Sequence, residues 1–311
     1  MIHLYHHSDC DKHNPGAMHP ENAGRLQAIM AALHKSAIEQ QLVYLQAPLG
    51  TEAQILLVHT GAHLAGVVAT SPTEGTRALD ADTVMSPGSL NAALRGVGSA
   101  CQGVDDLIAG TASRVFCLTR PPGHHATPDT AMGFCIFNQI AIAAQYALTQ
   151  YKLERVAIID FDVHHGNGTQ DAFAGKPGVL YLSTHQSPLY PGTGTRLENR
   201  PGNICNIPLA AGTQDKSYQE IFTAIAMPEL ASFRPQLVLV SAGFDAHQQD
   251  PLAGLALTEH SYRWLGVQLG KIAQQFSGGK ILSVLEGGYN HAVLGSSVVA
   301  YLEGLAVTPA Q

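Results

Sequence analysis

The chain has 311 residues, 45% of them hydrophobic and 13% charged, which favours a protein with a large buried core over a disordered one. Lys and Arg number 17 against 24 Asp and Glu, giving a formal net charge of −7. Because a duplex-binding surface needs clustered Lys and Arg, and the sequence has no such run, we expect no nucleic-acid partner.

Apolar residues at helical spacing predict a first helix after His19, with Pro20 suited to its first turn. Steps of three and four between Leu90 and Ile108 predict a second helix, which Gly110 ends. Further helices are predicted at residues 138–151, 215–233, 258–276 and 291–305.

Short β-branched runs predict strands between these helices. They lie at residues 114–118, 155–160, 179–183, 237–241 and 281–285. Continuous hydrophobic runs separated by helical stretches indicate buried parallel strands, so we expect a three-layer α/β fold with a mostly parallel central sheet and helices on both faces. No repeat, low-complexity tract or linker interrupts the pattern, and we therefore expect one domain over residues 1–311.

Two long stretches, residues 70–88 and 186–206, fit neither pattern and are rich in Pro, Gly, Ser and Thr. Loops of that length in a compact protein are usually functional rims or lids. A surface loop without function is an equal alternative for the first stretch. The second carries Tyr190 just after a predicted strand, which favours the functional interpretation there.

The cysteines and histidines bear on compartment and chemistry. Five cysteines without a C-x-x-C pair argue against a disulfide framework or a zinc ribbon and favour a cytoplasmic protein. We expect no signal peptide and no membrane contact, because the N-terminus lacks a long apolar core and no stretch reaches the roughly 18 uninterrupted apolar residues of a membrane span. The 16 histidines are the unusual feature, since histidine is the commonest metal ligand and the usual proton shuttle.

Polar clusters follow four of the predicted strands. They run from Arg120 to His125, from Asp160 to Gly168, from Gly243 to His247 and from Glu286 to Tyr289. In open parallel sheets, ligands bind beyond the carboxyl ends of the strands. We therefore expect these four clusters to meet at one edge of the sheet.

Asp162 and His164 are two residues apart, a spacing that points both side chains to one face of an extended segment. A lone Asp-x-His pair would more often cap and pair locally. Here Asp245, from another strand end, would complete three protein ligands with an open position for water, which is the arrangement of a catalytic zinc site. Nitrogen and oxygen ligands also serve Fe²⁺, so the sequence leaves the choice between Zn²⁺ and Fe²⁺ open.

His124 and His125 are candidates for acid–base work on a metal-activated water. Each needs a partner that fixes its tautomer, Asp160 for His124 and Asn167 for His125. A carboxylate stabilises an imidazolium more than an amide does, so we expect His125 to be the neutral base and His124 to stay protonated. Tyr289 follows two glycines and could aim its phenol at a developing oxyanion. The alternatives are histidines that only satisfy hydrogen bonds and a tyrosine packed at a strand end.

Four motifs, in order along the chain, resemble the zinc-dependent histone deacetylase superfamily, which has the arginase–deacetylase fold. They are Pro-Pro-Gly-His-His-Ala at residues 121–126, Asp-x-Asp-x-His-His-Gly-Asn-Gly-Thr at 160–169, Ala-Gly-Phe-Asp at 242–245 and Glu-Gly-Gly-Tyr at 286–289. Asn167, where class I members carry Asp, and the start His-Pro-Glu-Asn-Ala-Gly-Arg at 19–25 resemble class II and its bacterial histone deacetylase-like amidohydrolases.

The resemblance implies a role for each matching residue. The zinc ligands would be Asp162, His164 and Asp245, the tandem histidines His124 and His125, and the transition-state tyrosine Tyr289. Substrate would contact Gly133, Phe134, Tyr190 and Asp82, with Arg25 near an inner pocket. A structural K⁺ would use Asp160, Asp162, His164, Ser183 and Thr184, and a second K⁺ would use Phe173 and Val179.

The implied activity is zinc-dependent hydrolysis of N-acyl amides, removing acetyl or other acyl groups from lysine side chains. An acylated lysine has lost its charge, so its stem can enter an aromatic slot without a large desolvation cost. One alternative is an amidohydrolase of small acetylated polyamines, with Glu74, Asp80 and Asp82 available to a distal amine. Another is a catalytically silent acyl-lysine reader, which is disfavoured because Tyr289, both tandem histidines and all three ligands are present. Arginase fits poorly, since it uses two manganese ions. The acyl chain and the oligomeric state stay open.

Overall fold

The computed structural model describes residues 1–307. The strands, in chain order, are β1 (Ile2–His6), β2 (Leu42–Gln46), β3 (Arg77–Ala78), β4 (Val84–Met85), β5 (Arg114–Cys117), β6 (Val156–Asp160), β7 (Val179–Gln186), β8 (Ile204–Leu209), β9 (Leu237–Ala242) and β10 (Ile281–Leu285). The α-helices are α1 (Gly24–Leu33), α2 (Glu52–Ile55), α3 (Gly61–Thr70), α4 (Ser89–Ala109), α5 (Gln139–Gln150), α6 (Asn167–Phe173), α7 (Asp215–Ile221), α8 (Met227–Phe233), α9 (Glu259–Ser277) and α10 (His291–Val307). Short 3-10 turns lie at Ser8–Lys12, Ala37–Gln41 and Arg196–Glu198, and a π-helical turn at Phe222–Ala226 joins α7 to α8.

Eight strands form one parallel sheet in the order β2-β1-β5-β10-β9-β6-β7-β8, while β3 and β4 form a separate antiparallel pair. Successive side chains of a strand point to opposite faces. In β6, Ala157 and Ile159 therefore join the core beneath α1, α9 and α10, while Ile158 joins the core beneath α4 and α5. Helices cover both faces, which confirms the predicted three-layer α/β fold. All five cysteines are free and buried in it.

The predicted elements agree with the structure at most strands and helices, with two corrections. Helix α1 begins at Gly24, so Pro20 does not lie in its first turn; the Asn22 side chain instead holds residues 19–24 in a turn, donating to the carbonyls of His19 and Pro20. Residues 215–233 are not one regular helix, because Pro228 lacks the N–H needed for the helical ladder and the chain passes through a π-helical turn. Within residues 1–307, no helix is long and apolar enough to cross a membrane.

The sequence analysis missed β1, β2 and β8. Strands β2 and β8 are the two edge strands of the sheet, and β1 lies next to β2. The two stretches without a predicted element also contain short structure. Residues 70–88 include the β3–β4 pair, and residues 186–206 include the 3-10 turn Arg196–Glu198 and the start of β8.

Helices α9 and α10 approach closely at Gly266 and Gly304. A Cβ on Gly266 would lie 2.2 Å from the carbonyl oxygen of Tyr301, and one on Gly304 would lie 2.1 Å from that of Arg263. We expect Gly266→Ala to lower the free energy of unfolding by about 1–3 kcal/mol, because the helices must separate. The matched control Gly66→Ala, in α3, puts its methyl group in open space, and we expect it to be stabilising by at most about 1 kcal/mol. Denaturant unfolding measures both, and equal effects would contradict this interpretation of the contact.

Candidate active site

The polar clusters predicted from the sequence lie at the carboxyl edge of the sheet. β6, β9 and β10 are neighbours and end at Asp160, Ala242 and Leu285. β5 lies beside β10 and leads into the loop that carries His124 and His125. Parallel strands end at the same edge, and this edge is where open α/β sheets bind ligands.

Asp162, His164 and Asp245 come together at this edge, with one potential ligand atom each and all three atoms within 4.8 Å of one another. Nδ1 of His164 lies 3.1 Å from Oδ1 of Asp162 and 3.1 Å from Oδ2 of Asp245. The predicted extended segment is wrong, however, because β6 ends at Asp160 and residues 162–164 form a bend. Oδ1 of Asp162 accepts the His164 N–H at 2.8 Å, and this Asx turn, rather than strand alternation, brings the two side chains together.

The two carboxylates of this cluster are fully buried and affect each other. Burial and then the charge of Asp162 raise the pKa of Asp245 to about 7. Burial would also raise the pKa of Asp162, but the charges of His124 and His164 outweigh it and lower that pKa. Burial would lower the pKa of His164, but both carboxylates stabilise its cation and raise the pKa to about 10. The cluster therefore needs positive charge among its carboxylates, which a bound cation would provide.

The surrounding backbone leaves this cluster no room for extra side-chain atoms. A Cβ on Gly243 would lie 2.1 Å from Oδ2 of Asp162, and one on Gly287 would lie 2.0 Å from Oδ2 of Asp245. The Gly287 N–H donates to Asp162 at 2.8 Å and the Val163 N–H to Asp245 at 2.9 Å, so both carboxylates are oriented by outer hydrogen bonds. One imidazole nitrogen and two carboxylates, held in this way, fit a divalent metal such as zinc.

His124 and His125 stand beside the metal cluster with ring centroids 4.0 Å apart. Nδ1 of His124 lies 2.9 Å from Oδ2 of Asp160, and Nδ1 of His125 lies 2.8 Å from Oδ1 of Asn167. The Asn167 amide nitrogen donates to the carbonyl oxygen of His125 at 3.4 Å, which turns its oxygen toward the ring. Nδ1 of His125 therefore carries the proton, and Nε2 is left free to accept one.

The electrostatic surroundings of the two histidines differ in sign. Burial lowers the pKa of His124, but the charges of Asp160 and two further carboxylates outweigh it and raise that pKa well above its usual value. Burial also lowers the pKa of His125, and the neighbouring charges of His124 and His164 lower it further, well below its usual value. The two pKa values are thus shifted in opposite directions, which supports the prediction that His125 is the neutral histidine of the pair.

Tyr289 lies on a turn that follows β10. The guanidinium of Arg25 stands 5.0 Å from the centre of its ring and donates to the carbonyl oxygens of Gly288, at 2.7 Å, and Glu286. The Phe134 ring stands nearly perpendicular to the Tyr289 ring, with centroids 5.9 Å apart. Burial raises the pKa of Tyr289 well above its usual value, despite the opposing charge of Arg25. The phenol therefore keeps its proton at neutral pH and can donate it in a hydrogen bond.

A cavity of about 190 Å³ opens between the metal cluster and the surface. It is lined by Asp82, His125, Gly133, Phe134, His164, Leu189, Tyr190, Leu252 and Tyr289. The ring of Tyr190 lies 5.2 Å from that of His125 and 6.3 Å from that of His164. All four residues predicted to contact substrate thus lie at one cavity.

The wall formed by Gly133 and Phe134 is a left-handed turn, with φ of 58° and 69°. Phe134 has a side chain, so this conformation is strained and needs outside support. Oδ1 of Asp82 accepts the Gly133 N–H at 2.9 Å, and the Thr83 hydroxyl oxygen accepts the Phe134 N–H at 3.1 Å. Only glycine fits at position 133, because a Cβ there would lie 2.5 Å from the His125 ring.

The family described as "Histone deacetylase domain" matches residues 19–305 of this chain. The chain belongs to the histone deacetylase family. Similar histone deacetylase relatives include histone deacetylase 10, chloroplastic, of Oryza sativa subsp. japonica, 39% identical over 95% of this chain and 71% of the relative. A histone deacetylase-like amidohydrolase of Pseudomonas aeruginosa is 37% identical over 92% of this chain and 76% of the relative. The crystal structure of an HDA15 HD domain superposes with a TM-score of 0.89 at 34% identity, covering 98% of this chain and 92% of that one.

The predicted resemblance and the predicted hydrolase are therefore confirmed, and this histone deacetylase family member hydrolyses acetylated substrates. A probable deacetylase of Methanothermobacter thermautotrophicus, 38% identical, covers 97% of this chain and 90% of the relative. The names of two plant relatives include the word chloroplastic, so a cytoplasmic location stays a prediction.

The residues predicted to hold potassium in this histone deacetylase lie on β6 and β7. The Ser183 hydroxyl pairs with Nδ1 of His185 at 2.8 Å, and the Thr184 hydroxyl pairs with the Tyr218 hydroxyl at 2.8 Å. Asp160 faces Ser183 across the two strands and already partners His124. A K⁺ ion at these residues stays a prediction.

The residues predicted for a second K⁺ form hydrogen bonds with Asn203. The Asn203 amide nitrogen lies 3.1 Å from the carbonyl oxygen of Phe173, 3.0 Å from that of Lys176 and 3.0 Å from that of Val179. The carbonyl oxygens of Phe173 and Val179 thus accept from Asn203 in this structure, and a second K⁺ at these residues stays a prediction.

Two buried acids in the deacetylase motifs have structural roles that the sequence analysis did not assign. Glu286 accepts the N–H groups of Gly123 at 2.7 Å and His124 at 3.2 Å, and so holds the tandem-histidine loop. Glu21 forms a bidentate ion pair with Arg120, with both N–O distances 2.6 Å. The sequence offered one signal for these roles, because each acid lies within a motif shared with the family. Glu286 precedes Gly-Gly-Tyr, and Glu21 ends His-Pro-Glu.

Proposed function

We propose that this histone deacetylase family member is a zinc-dependent deacylase of lysine side chains in peptides or proteins. It would hydrolyse the side-chain amide with one water molecule and release a carboxylate and the protonated amine. One observation carries the proposal. The ligand atoms of Asp162, His164 and Asp245 converge beneath a cavity that His125 and Tyr289 also line.

The cavity walls suit an uncharged stem. Phe134, Leu189, Tyr190 and Leu252 contribute aromatic and aliphatic side chains to its lining. An acylated lysine presents four methylenes and a neutral amide, which such a slot can bury at little cost, whereas a free ammonium would have to be desolvated. The slot therefore favours the acylated lysine over the deacylated product.

His125 would take the proton of the attacking water. Asp162, His164 and Asp245 would hold a divalent ion, which would supply a Lewis acid for the amide carbonyl and lower the pKa of water toward neutrality. Nε2 of His125, kept neutral and with Nδ1 bonded to Asn167, takes the proton as water attacks the carbonyl carbon. His124, held as an imidazolium by Asp160, adds positive charge near the developing oxyanion.

Tyr289 and Gly133 would position the reacting amide. The Tyr289 O–H, protonated at neutral pH, donates to the developing oxyanion, and the Gly133 carbonyl accepts the substrate N–H. Collapse of the tetrahedral intermediate breaks the C–N bond while His125 returns its proton to the leaving nitrogen. The carboxylic acid and the neutral amine are then formed, and the base is regenerated. Transfer of the acid's proton to the amine gives the carboxylate and the ammonium in neutral water.

The rim favours acyl-lysine over an acetylated polyamine. A polyamine carries a distal ammonium that would need an anionic partner outside the slot. Among the cavity-lining residues, Asp82 is the one carboxylate at the rim, and its Oδ1 already accepts the Gly133 N–H and the Thr83 hydroxyl. Burial and the charge of Asp80 also raise the pKa of Asp82, which weakens it as an anion.

A substrate panel tests this proposal. We expect hydrolysis of fluorogenic acetyl-lysine peptides at a kcat/KM at least about tenfold above that for acetylputrescine, loss of activity after chelation, and recovery on adding stoichiometric zinc. Each tenfold corresponds to about 1.4 kcal/mol of transition-state stabilisation. Full activity in the presence of chelator would contradict the metal mechanism, and preference for acetylputrescine would assign the polyamine substrate instead.

A further inference from the structure

The turn that carries Tyr289 has little rigidity of its own. Gly287 and Gly288 precede the tyrosine, and Gly288 has φ of 123°, a region that side-chain-bearing residues avoid. A phenol that must meet a developing oxyanion tolerates little displacement, since a 1 Å shift of a reacting group can cost about 100-fold in rate. Contacts from outside the turn must therefore fix it.

Two charged side chains hold this turn from different directions. Arg25 donates to the carbonyl oxygens of Glu286 and Gly288. Asp250 accepts the backbone N–H of Tyr289 itself, with Oδ2 2.7 Å from the nitrogen. The Asp250 contact is the one that fixes the backbone of the residue bearing the phenol.

The other oxygen of Asp250 is engaged as well. Oδ1 accepts the Leu252 N–H at 3.0 Å, an Asx turn across Pro251, and Leu252 lines the cavity. Asp250 is 8% exposed, so an unmet N–H at this point would be shielded from water and costly. One carboxylate thus couples the tyrosine turn to the segment that continues from the metal ligand Asp245.

We propose that Asp250 is a positioning residue for Tyr289: its carboxylate holds the tyrosine backbone, and thereby aims the phenol at the reacting carbonyl. This inference rests on the proposed function of the site. Asp250 does not line the cavity and acts through Tyr289. Asn is the decisive substitution, because it keeps the shape but offers one oxygen and one NH₂ group, so that one of the two backbone N–H groups faces a donor.

A double-mutant cycle on the zinc-loaded full chain tests the proposal. We expect Asp250→Asn to lower kcat about 10- to 100-fold and to change KM by less than about threefold, since the slot walls remain. In a Tyr289→Phe background, which lacks the phenol hydroxyl, the same substitution should lower kcat by less than about twofold. Equal losses in both backgrounds, or a wild-type kcat for Asp250→Asn, would overturn the proposal.

A control and a second readout separate positioning from general stability. Asp215 also accepts a backbone N–H, that of Thr258 at 2.9 Å, and neither residue lines the cavity. We expect Asp215→Asn to lower the melting temperature without changing kcat. Amide hydrogen exchange over residues 287–290 should accelerate at least tenfold in Asp250→Asn and stay unchanged in Asp215→Asn.

The exchange measurement does not depend on turnover, so it keeps the two proposals apart. If the wild-type chain hydrolyses no acyl amide, the proposed function fails, and the exchange rates still report whether Asp250 holds the turn. Unchanged exchange over residues 287–290 in Asp250→Asn would overturn the positioning role. If Asp250→Asn does not fold, Asp250→Ser, which retains one acceptor, takes its place in every measurement.

Discussion

Asp245→Asn is expected to abolish stoichiometric zinc binding and to lower kcat about 1,000-fold or more. The substitution keeps Oδ1 for the Val163 N–H but replaces the oxygen nearest His164 with an NH₂ group, which cannot ligate a cation. A catalytic metal supplies several kcal/mol of transition-state stabilisation, at about 1.4 kcal/mol per tenfold in rate. Metal analysis of the purified variant and single-turnover assays measure the two effects.

Thermal unfolding gives an independent check of the same prediction. Zinc at 100 times its Kd should stabilise the wild type by about 2.7 kcal/mol, because it binds the folded chain, and should leave Asp245→Asn unshifted. Asp171→Asn, an exposed substitution on α6, is the matched control and should behave as the wild type. Full zinc stoichiometry in Asp245→Asn would show that the ligand set has been misassigned.

His125→Ala is expected to lower kcat about 100- to 10,000-fold, the usual contribution of a positioned base, and more than His124→Ala does. His125 is the neutral histidine whose free Nε2 can take a proton, whereas His124 is held as a cation by Asp160 and contributes charge. Steady-state kinetics of both variants, at matched zinc content, give the ranking. A larger loss for His124→Ala would reverse the assigned roles.

Asn167→Asp supplies a second measurement on the same histidine. A carboxylate beside Nδ1 stabilises the imidazolium, so the pKa of His125 should rise. The base is active only when neutral, and activity should therefore be lost at a higher pH on acidification than in the wild type. An unchanged acidic limb of the kcat/KM profile would mean that another group is the base.

The sequence predicts the site better than it predicts the sheet. Polar clusters that follow neighbouring parallel strands lie at the same edge of the sheet, so the approach of Asp245 to the segment of Asp162 and His164 follows from the topology. β1 was missed because His3 and His6 give it a polar pattern, and β8 because Pro208 lies within it. These strands are defined by their partners in the sheet and not by their own composition.

Contacts between residues distant in sequence were beyond prediction. Asp250 and Tyr289 are 39 residues apart, and Glu286 and Gly123 are 163 apart, so no spacing rule links them. The bend at residues 162–164 also differs from the predicted extended segment, because an aspartate side chain can capture the N–H two residues on. In each case a side-chain carboxylate accepts a backbone N–H, and only the folded structure shows which N–H it is.

The absence of side chains at Gly243 and Gly287 limits how this protein could be re-engineered. Any larger residue there would push a carboxylate of the metal cluster aside, so saturation libraries at either position should return inactive clones. Acyl-chain preference would instead be varied through Leu189 and Tyr190, whose side chains line the slot and carry no metal ligand. The residues that hold the metal and the residues that set acyl-chain preference are thus different, so substitutions can change the preference and leave the metal ligands in place.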